Sequence, residues 1–320
     1  MYRPEIKVTD CTLRDGGLIN KWQFSHELVR NVFLAVNQSG VDYMEIGYRA
    51  SKKMFDPKEY GPWRFTTDED VRKIIQDTPV NMKLGVMVDI GRVEEDDIAP
   101  CEESPLDFIR VATYAHDVDK AIALANHVDS KGYESFINIM AISTVNDLDL
   151  ANALQQIDTE TNVTAVNIVD SFGYLYSESV HHLVKLFQDN LKTKSVGIHA
   201  HNNQQLGFAN TIEAIRKDVN YLDATVSGIG RGAGNCPLEL LLSFLNNPKF
   251  NIEPVLQVLE DVFLDLRKEI EWGYLIPYMI TGVLNEHPRT AIALRQDPKN
   301  KDKYAEFFRT MTTPECFSDE

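Results

Sequence analysis

The sequence predicts an α/β protein, a (β/α)8 TIM barrel over residues 1–248 with a helical C-terminal extension over residues 249–320. Three observations lead there. Short β-rich apolar runs, eight in number, alternate with amphipathic helical stretches up to about residue 247. The runs recur roughly every 25 to 35 residues, the spacing of strand–helix units in a closed barrel. After Pro248 the strands stop and only helical periodicity continues. Strand–helix alternation implies βαβ units and a parallel sheet, and eight such units are enough to close it. An open doubly wound sheet is the structural alternative.

The strands are expected at 5–13, Tyr43–Tyr48, Lys83–Asp89, Phe108–Ala115, Ser135–Ile142, Ala165–Asp170, Val196–His201 and Tyr221–Ser227. Helical periodicity runs over 25–38, 67–77, 117–131, 146–157, 177–190, 206–217 and 237–246. Between the third and fourth strands, Arg92–Ile98 offers one short turn of helix. Ser25 and Thr67 stand where N-caps belong, and Asp70 follows Thr67 at capping-box spacing. Beyond the barrel, 253–272, 274–285 and 287–296 read as helical, with Pro277 and Pro288 as interruptions. Thr310–Glu320 reads as loosely ordered.

With 43% hydrophobic residues, the chain can bury a sizeable core. Its net charge of -16 argues against nucleic acid or an anionic membrane as principal partner, because both demand a positive face. Cys11, Cys101, Cys236 and Cys316 lie far apart and form no C-x-x-C, so neither a zinc site nor a disulfide framework is indicated. Met1–Glu5 lacks an apolar signal core, and no apolar run reaches about 18 residues. A soluble cytoplasmic protein is expected.

A barrel draws its reactive groups from the C-terminal ends of its strands. Arg14 and Asp15 close the first run, and Glu45, Tyr48 and Arg49 belong to the second. Arg110, Thr113 and Tyr114 belong to the fourth, and Asp170 and Ser171 end the sixth. The seventh ends in His199-Ala200-His201-Asn202-Asn203. Residues two apart on a strand share a face, so His199 and His201 can aim two imidazoles at one point. With a carboxylate from Asp15, such a set suits a divalent first-row ion. Alone, the H-x-H is equally two satisfied polar groups. Glu45 reads either as an acceptor behind the site or as a polar barrel layer. Gly228, Gly230 and Ala233 formally satisfy G-x-G-x-x-[GA], but they follow the eighth strand, and no acidic strand end comes about 20 residues later. A dinucleotide is therefore not expected, whereas a phosphate at the following helix remains open. Cys236 reads as a small buried residue.

Three segments carry a family resemblance: Thr12-Leu13-Arg14-Asp15-Gly16, Gly197-Ile198-His199-Ala200-His201-Asn202, and the stretch from Gly228 through Gly-Ala-Gly-Asn235 to Glu239. Together they resemble the metal-dependent aldolase/lyase barrels that include 3-hydroxy-3-methylglutaryl-CoA lyase and isopropylmalate synthase. Within that group, Arg110–Thr113, Asp170-Ser171 and Gly-Ala-Gly-Asn are most similar to 4-hydroxy-2-oxovalerate aldolases. The resemblance implies Mn²⁺ or Mg²⁺ held by Asp15, His199 and His201, with Asn235 as a further ligand. It implies that Arg14 stabilises the enolate of a pyruvate-like 2-oxo acid and that Ser171 bonds the substrate carboxylate. The implied partners are a small 2-oxo acid and an aldehyde, with a Claisen-type synthase using acyl-CoA, or a non-catalytic binding barrel, as alternatives. One departure stands out. The oxovalerate aldolases place a histidine base three residues after the metal aspartate, and here that position is Leu18. Their C-terminal tyrosine also has no counterpart in Ile280–Asn285. Both departures count against their aldehyde dehydrogenase partner. A homodimer through the C-terminal helices is expected instead.

Overall fold

The computed structural model describes residues 2–313. Eight parallel strands close into a barrel in simple chain order, each paired with its neighbours and β8 with β1. They are β1 (Lys7–Asp10), β2 (Tyr43–Tyr48), β3 (Lys83–Asp89), β4 (Phe108–Thr113), β5 (Glu134–Ile139), β6 (Ala165–Asp170), β7 (Ser195–Ala200) and β8 (Tyr221–Ala224). The open-sheet alternative is thereby excluded. The alternation of side chains along a strand stacks the interior in layers. Tyr43, Phe108, Phe136 and Ala165 plug the N-terminal end, joined by Tyr221. One step along the same inward faces lie Glu45, Arg110, Asn138 and Asp223, all buried. Another step reaches the mouth.

The first unit departs from expectation. β1 stops at Asp10, and Thr12–Asn20 winds into a helix, α1. The cause is local: the Asp10 carboxylate accepts both the Thr12 amide and the Thr12 hydroxyl, which turns the chain out of the sheet. Arg14 and Asp15 therefore project from a helix rather than from a strand end. Gly17 serves packing rather than turning, since a Cβ there would lie 2.0 Å from the Trp22 ring.

The remaining barrel helices are α2 (His26–Gln38), α3 (Asp68–Ile75), α4 (Val118–Ser130), α5 (Asp147–Glu160), α6 (Ser177–Asn190), α7 (Gly207–Arg216) and α8 (Leu238–Leu245). Ser25 and Thr67 cap α2 and α3 as expected, accepting the amides of Leu28 and Asp70. The β3–β4 crossover has only 3₁₀ turns, at Glu95–Asp97 and Cys101–Glu103. Its sequence, with acidic residues at 94–97 and a proline at 100, offers no apolar stripe for a full helix.

The C-terminal segment is helical: α9 (Glu253–Val258), a π turn (Leu259–Phe263), α10 (Leu264–Glu269), α11 (Ile276–Val283), α12 (Arg289–Gln296) and α13 (Tyr304–Thr312). α13 was not anticipated, and it includes residues expected to be loose; 314–320 lie outside the described residues. α9 packs on α2. Trp272, just after α10, donates to the Ser227 carbonyl at 2.9 Å. α11 then crosses the mouth, where Gly282 comes so close to the loops after β6 and β7 that a Cβ would stand 3.0 Å from Asn203. Tyr278, Ile280, Ala291 and Phe307 gather with Ala233 into a small second core above the mouth.

Candidate metal centre and active site

α1 sets the first wall of the site. Arg14 and Asp15 stand four and three residues before Leu18, so each shares a helix face with it. Asp15 approaches the end of β7, where His199 projects from the strand and His201 directly follows it. Ligand atoms of Asp15, His199 and His201 all lie within 4.8 Å of one another. The three residues are buried. His199 Nε2, His201 Nδ1 and Asn235 Oδ1 are buried without any hydrogen-bond partner among the described residues. Several orphaned acceptors around one point are what a cation would satisfy. The donor set, two imidazoles, a carboxylate and an amide oxygen, fits a divalent metal.

Each ligand is held from behind. His199 Nδ1 lies 2.9 Å from Asp223 Oδ2. Asp223 is buried, which would raise its pKa, yet Arg110 and His199 hold it down at about 2. It is therefore a carboxylate, so Nδ1 carries the proton and Nε2 keeps a bare lone pair. Burial opposes ionisation of Asp15 too, but Arg14 and the two imidazoles keep its carboxyl well below the usual range. Burial drives the His201 pKa well below its ordinary value, against the pull of Asp15, so this ring is neutral. A neutral imidazole is the form that ligates.

The glycine-rich loop completes the wall. Asn202 N donates to the Gly234 carbonyl and Cys236 N to the Ala200 carbonyl, so the loops after β7 and β8 are zipped together. That pairing puts Asn235 beside His201. Asn235 Nδ2 donates to Asp15, which leaves its Oδ1 for the ion. A Cβ at Gly230 would lie 2.4 Å from Asp15 Oδ2 and 2.2 Å from Asn235 Nδ2, so only glycine admits both side chains. The loop wraps the candidate metal ligands. It does not form a nucleotide cradle.

Arg14 is 4% exposed and donates to Glu45 at 2.7 Å through Nε and to Asp15 at 2.7 Å through Nη1. Glu45 also meets Arg110 at 3.4 Å, and Arg110 meets Asp223 at 2.6 Å. Glu45 is thus both a barrel layer and an acceptor behind the site. Ser171 lines the same small cavity as Arg14, Leu18, Tyr48 and the histidines. Its Oγ accepts the Ala141 amide at 2.8 Å, which leaves its own proton for a substrate oxygen. Cys236 is fully buried and its thiol is pushed up to about 12 by that burial, so it is inert. Cys11, His199 and Asp223 also cluster, but burial raises the Cys11 thiol well above its normal range and Nδ1 of His199 is already engaged.

The arrangement brings together all six residues singled out from the sequence: Arg14, Asp15, Ser171, His199, His201 and Asn235. Sequence reasoning missed Asp223 and Arg231. Asp223 was legible as a charge in mid-strand, which inside a barrel must have a partner. Arg231 carried no such signal, because an arginine in a glycine loop is ordinarily solvated.

Comparison with known proteins agrees with this geometry. Residues 5–262 match the HMGL-like family. The chain belongs to that family. Among curated relatives, an oxaloacetate decarboxylase of Mycobacterium tuberculosis is 30% identical over 240 residues, 74% of this chain and 69% of that protein. A 4-hydroxy-2-oxovalerate aldolase of Thermus thermophilus is 27% identical over 259 residues, 80% of this chain and 74% of its own. The N-terminal domain of a putative aldolase from Bacteroides vulgatus superposes with a TM-score of 0.77 at 28% identity, covering 93% of this chain and 99% of that one. The carboxyl transferase domain of Rhizobium etli pyruvate carboxylase shares the fold at 12% identity, with a TM-score of 0.70 over 96% of this chain. Among the described residues of this HMGL-like chain, no helix is long and apolar enough to cross a membrane.

Proposed function

We propose that this chain is a divalent-metal-dependent carbon–carbon lyase that makes or breaks a bond through the enolate of a pyruvate-like 2-oxo acid. The observation that carries the reading is the convergence of two orphaned buried imidazole nitrogens, of His199 and His201, with Asp15 and Arg14 on one small cavity, while the orphaned Asn235 Oδ1 belongs to a side chain bonded to Asp15. Asp15, His199, His201 and Asn235 Oδ1 would hold Mn²⁺ or Mg²⁺. Bound there, the ion supplies Lewis-acid polarisation of a 2-oxo acid. Arg14 presents a fixed guanidinium, already oriented by Glu45 and Asp15, to the oxygen on which negative charge develops. Ser171 donates to the substrate carboxylate. Relatives named 4-hydroxy-2-oxovalerate aldolase support an aldehyde as the second substrate. Free cysteines at 11, 101 and 236 and the net charge of -16 support a cytoplasmic setting.

Proton handling is where this chain differs. Leu18 lines the cavity and cannot serve as a base. Tyr48 lines it too, and its hydroxyl has no hydrogen-bond partner among the described residues. Burial and the nearby Asp89 push the phenol well above its ordinary pKa, so Tyr48 stays protonated. It is a donor suited to delivering a proton to an enolate carbon.

A second reading follows from the same residue. Loss of carbon dioxide from a 2-oxo dicarboxylate needs no base, and an apolar wall favours it by leaving the departing carboxylate poorly solvated. Leu18, Met87 and Met140 form such a wall. The relative named oxaloacetate decarboxylase supports this variant. The acyl-CoA alternative is less well served. The cleft of about 700 Å³ beside the site has Arg289 as its one lysine or arginine among the described residues, too little charge for a nucleotide's phosphates.

The test is solvent-deuterium exchange of pyruvate methyl protons by NMR, with and without Mn²⁺. Metal-dependent exchange is expected. Its absence with Mn²⁺, Mg²⁺ and Co²⁺ would sink the lyase reading, and failure to bind any divalent ion would favour a binding barrel.

A further inference from the structure

Three arginines border the heart of this barrel, and their circumstances differ. Arg14 is neutralised by Glu45 and Asp15, and Arg110 by Asp223 and Glu45. Arg231 has no carboxylate partner among the described residues. Its Nη2 donates to the Ser171 carbonyl at 2.8 Å, and its backbone amide approaches Asp15 Oδ2 at 3.3 Å. Its Nε is buried with no acceptor among the described residues. Arg231 lines the metal cavity together with Ser171 and His201. It also lines a second cavity, bordered by Glu269 and Glu271, yet forms no ion pair with either. Glu271 is taken by Arg295 at 2.7 Å.

A buried guanidinium donor without an acceptor is costly, and its presence beside the candidate metal centre needs a cause. The loop invests in placing it. Gly230 allows the chain to pass against Asp15, and the Ser171 carbonyl fixes one end of the guanidinium. Ser171 then stands beside Arg231 with its own hydroxyl proton available.

We propose that Arg231 binds the C1 carboxylate of the 2-oxo acid, as a clamp shared with the Ser171 hydroxyl. This inference rests on the lyase reading for its substrate class. It separates two roles: Arg14 meets charge that develops during reaction, and Arg231 meets charge already present on the free substrate. Removing a group that binds ground state and transition state alike raises KM and leaves kcat nearly intact.

The experiment uses the Mn²⁺-loaded full chain and calorimetric titration with pyruvate and with its uncharged methyl ester. Wild type is expected to prefer pyruvate by about 10- to 100-fold, the range of one charge-assisted hydrogen-bonded contact. Arg231→Ala should lose that preference by weakening pyruvate alone, and Arg231→Lys should restore part of it. Thermal melts of the variants report folding separately. Equal pyruvate affinity in wild type and Arg231→Ala, or equal weakening of acid and ester, would overturn the assignment. Deuterium exchange is read in parallel. Pyruvate binding without exchange in wild type defeats the lyase reading and leaves Arg231 to be judged on affinity alone.

Discussion

Asp223 Oδ2 accepts His199 Nδ1 at 2.9 Å and Arg110 Nη2 at 2.6 Å on one and the same oxygen. That single atom fixes the tautomer of a proposed metal ligand and ties it to a charge on the opposite strand. Asp223→Asn keeps the shape but weakens both bonds. Metal affinity is expected to fall about 10- to 100-fold, the usual cost of losing an outer partner of a ligating histidine. Competition with a metallochromic chelator measures it, and an unchanged affinity would show that Asp223 is only a barrel filler.

Arg14→Ala leaves Glu45 and Asp15 buried with a partner removed. Breaking a buried ion pair in this way costs about 3–5 kcal/mol of stability. Turnover should vanish and the urea midpoint should drop together. Arg14→Lys keeps the charge without the fork, so it should regain stability more than rate. A variant with full stability and no activity loss would remove Arg14 from the mechanism.

Leu18 shares a helix face with Arg14 and Asp15 and lines the reactive cavity. Leu18→His places a base where the pocket has none. Cleavage of 4-hydroxy-2-oxo acids should rise relative to decarboxylation of oxaloacetate, by about 10-fold or more given the range of general-base contributions. Coupled assays for aldehyde and for carbon dioxide give the ratio. A ratio that does not move would mean the base acts from elsewhere.

His287 reports on the cover of the mouth. Its Nδ1 accepts the Arg289 amide at 3.0 Å, which requires a neutral ring. Burial, with Arg231 and Arg289 nearby, pushes its pKa down to about 4. In the unfolded chain it titrates near the ordinary value of about 6.5. Between those values the unfolded state binds the extra proton, so stability rises with pH across this window. The contribution is complete above about 6.5 and is lost as pH falls toward 4. Denaturant titrations from pH 4 to 7 should show a shallower slope for His287→Gln than for wild type.

Periodicity and spacing revealed the barrel because burying eight strands leaves a mark on every unit of sequence. They placed Arg14 and Asp15 on a strand, since the turn that makes α1 depends on Asp10 and Thr12 and on no hydrophobic pattern. They allowed the β3–β4 crossover only one short helical turn, over Arg92–Ile98, and that crossover has 3₁₀ turns at Glu95–Asp97 and Cys101–Glu103. His199 and His201 were readable as candidate ligands because two histidines at strand spacing are a local signal. Glu45, Arg110 and Asp223 were harder to read as a set. Their meaning is pairwise contact across the barrel between residues as much as 113 positions apart.

The buried charges form an almost complete circle: Asp15 to Arg14, Arg14 to Glu45, Glu45 to Arg110, Arg110 to Asp223, Asp223 to His199. The gap between His199 and Asp15 is the place proposed for the ion. Three carboxylates against two guanidiniums leave this circle one negative charge, and the guanidinium of Arg231, which lines the same cavity, offsets it. A divalent cation in the gap would add two positive charges, so a 2-oxo acid should bind more tightly with the metal in place than without it.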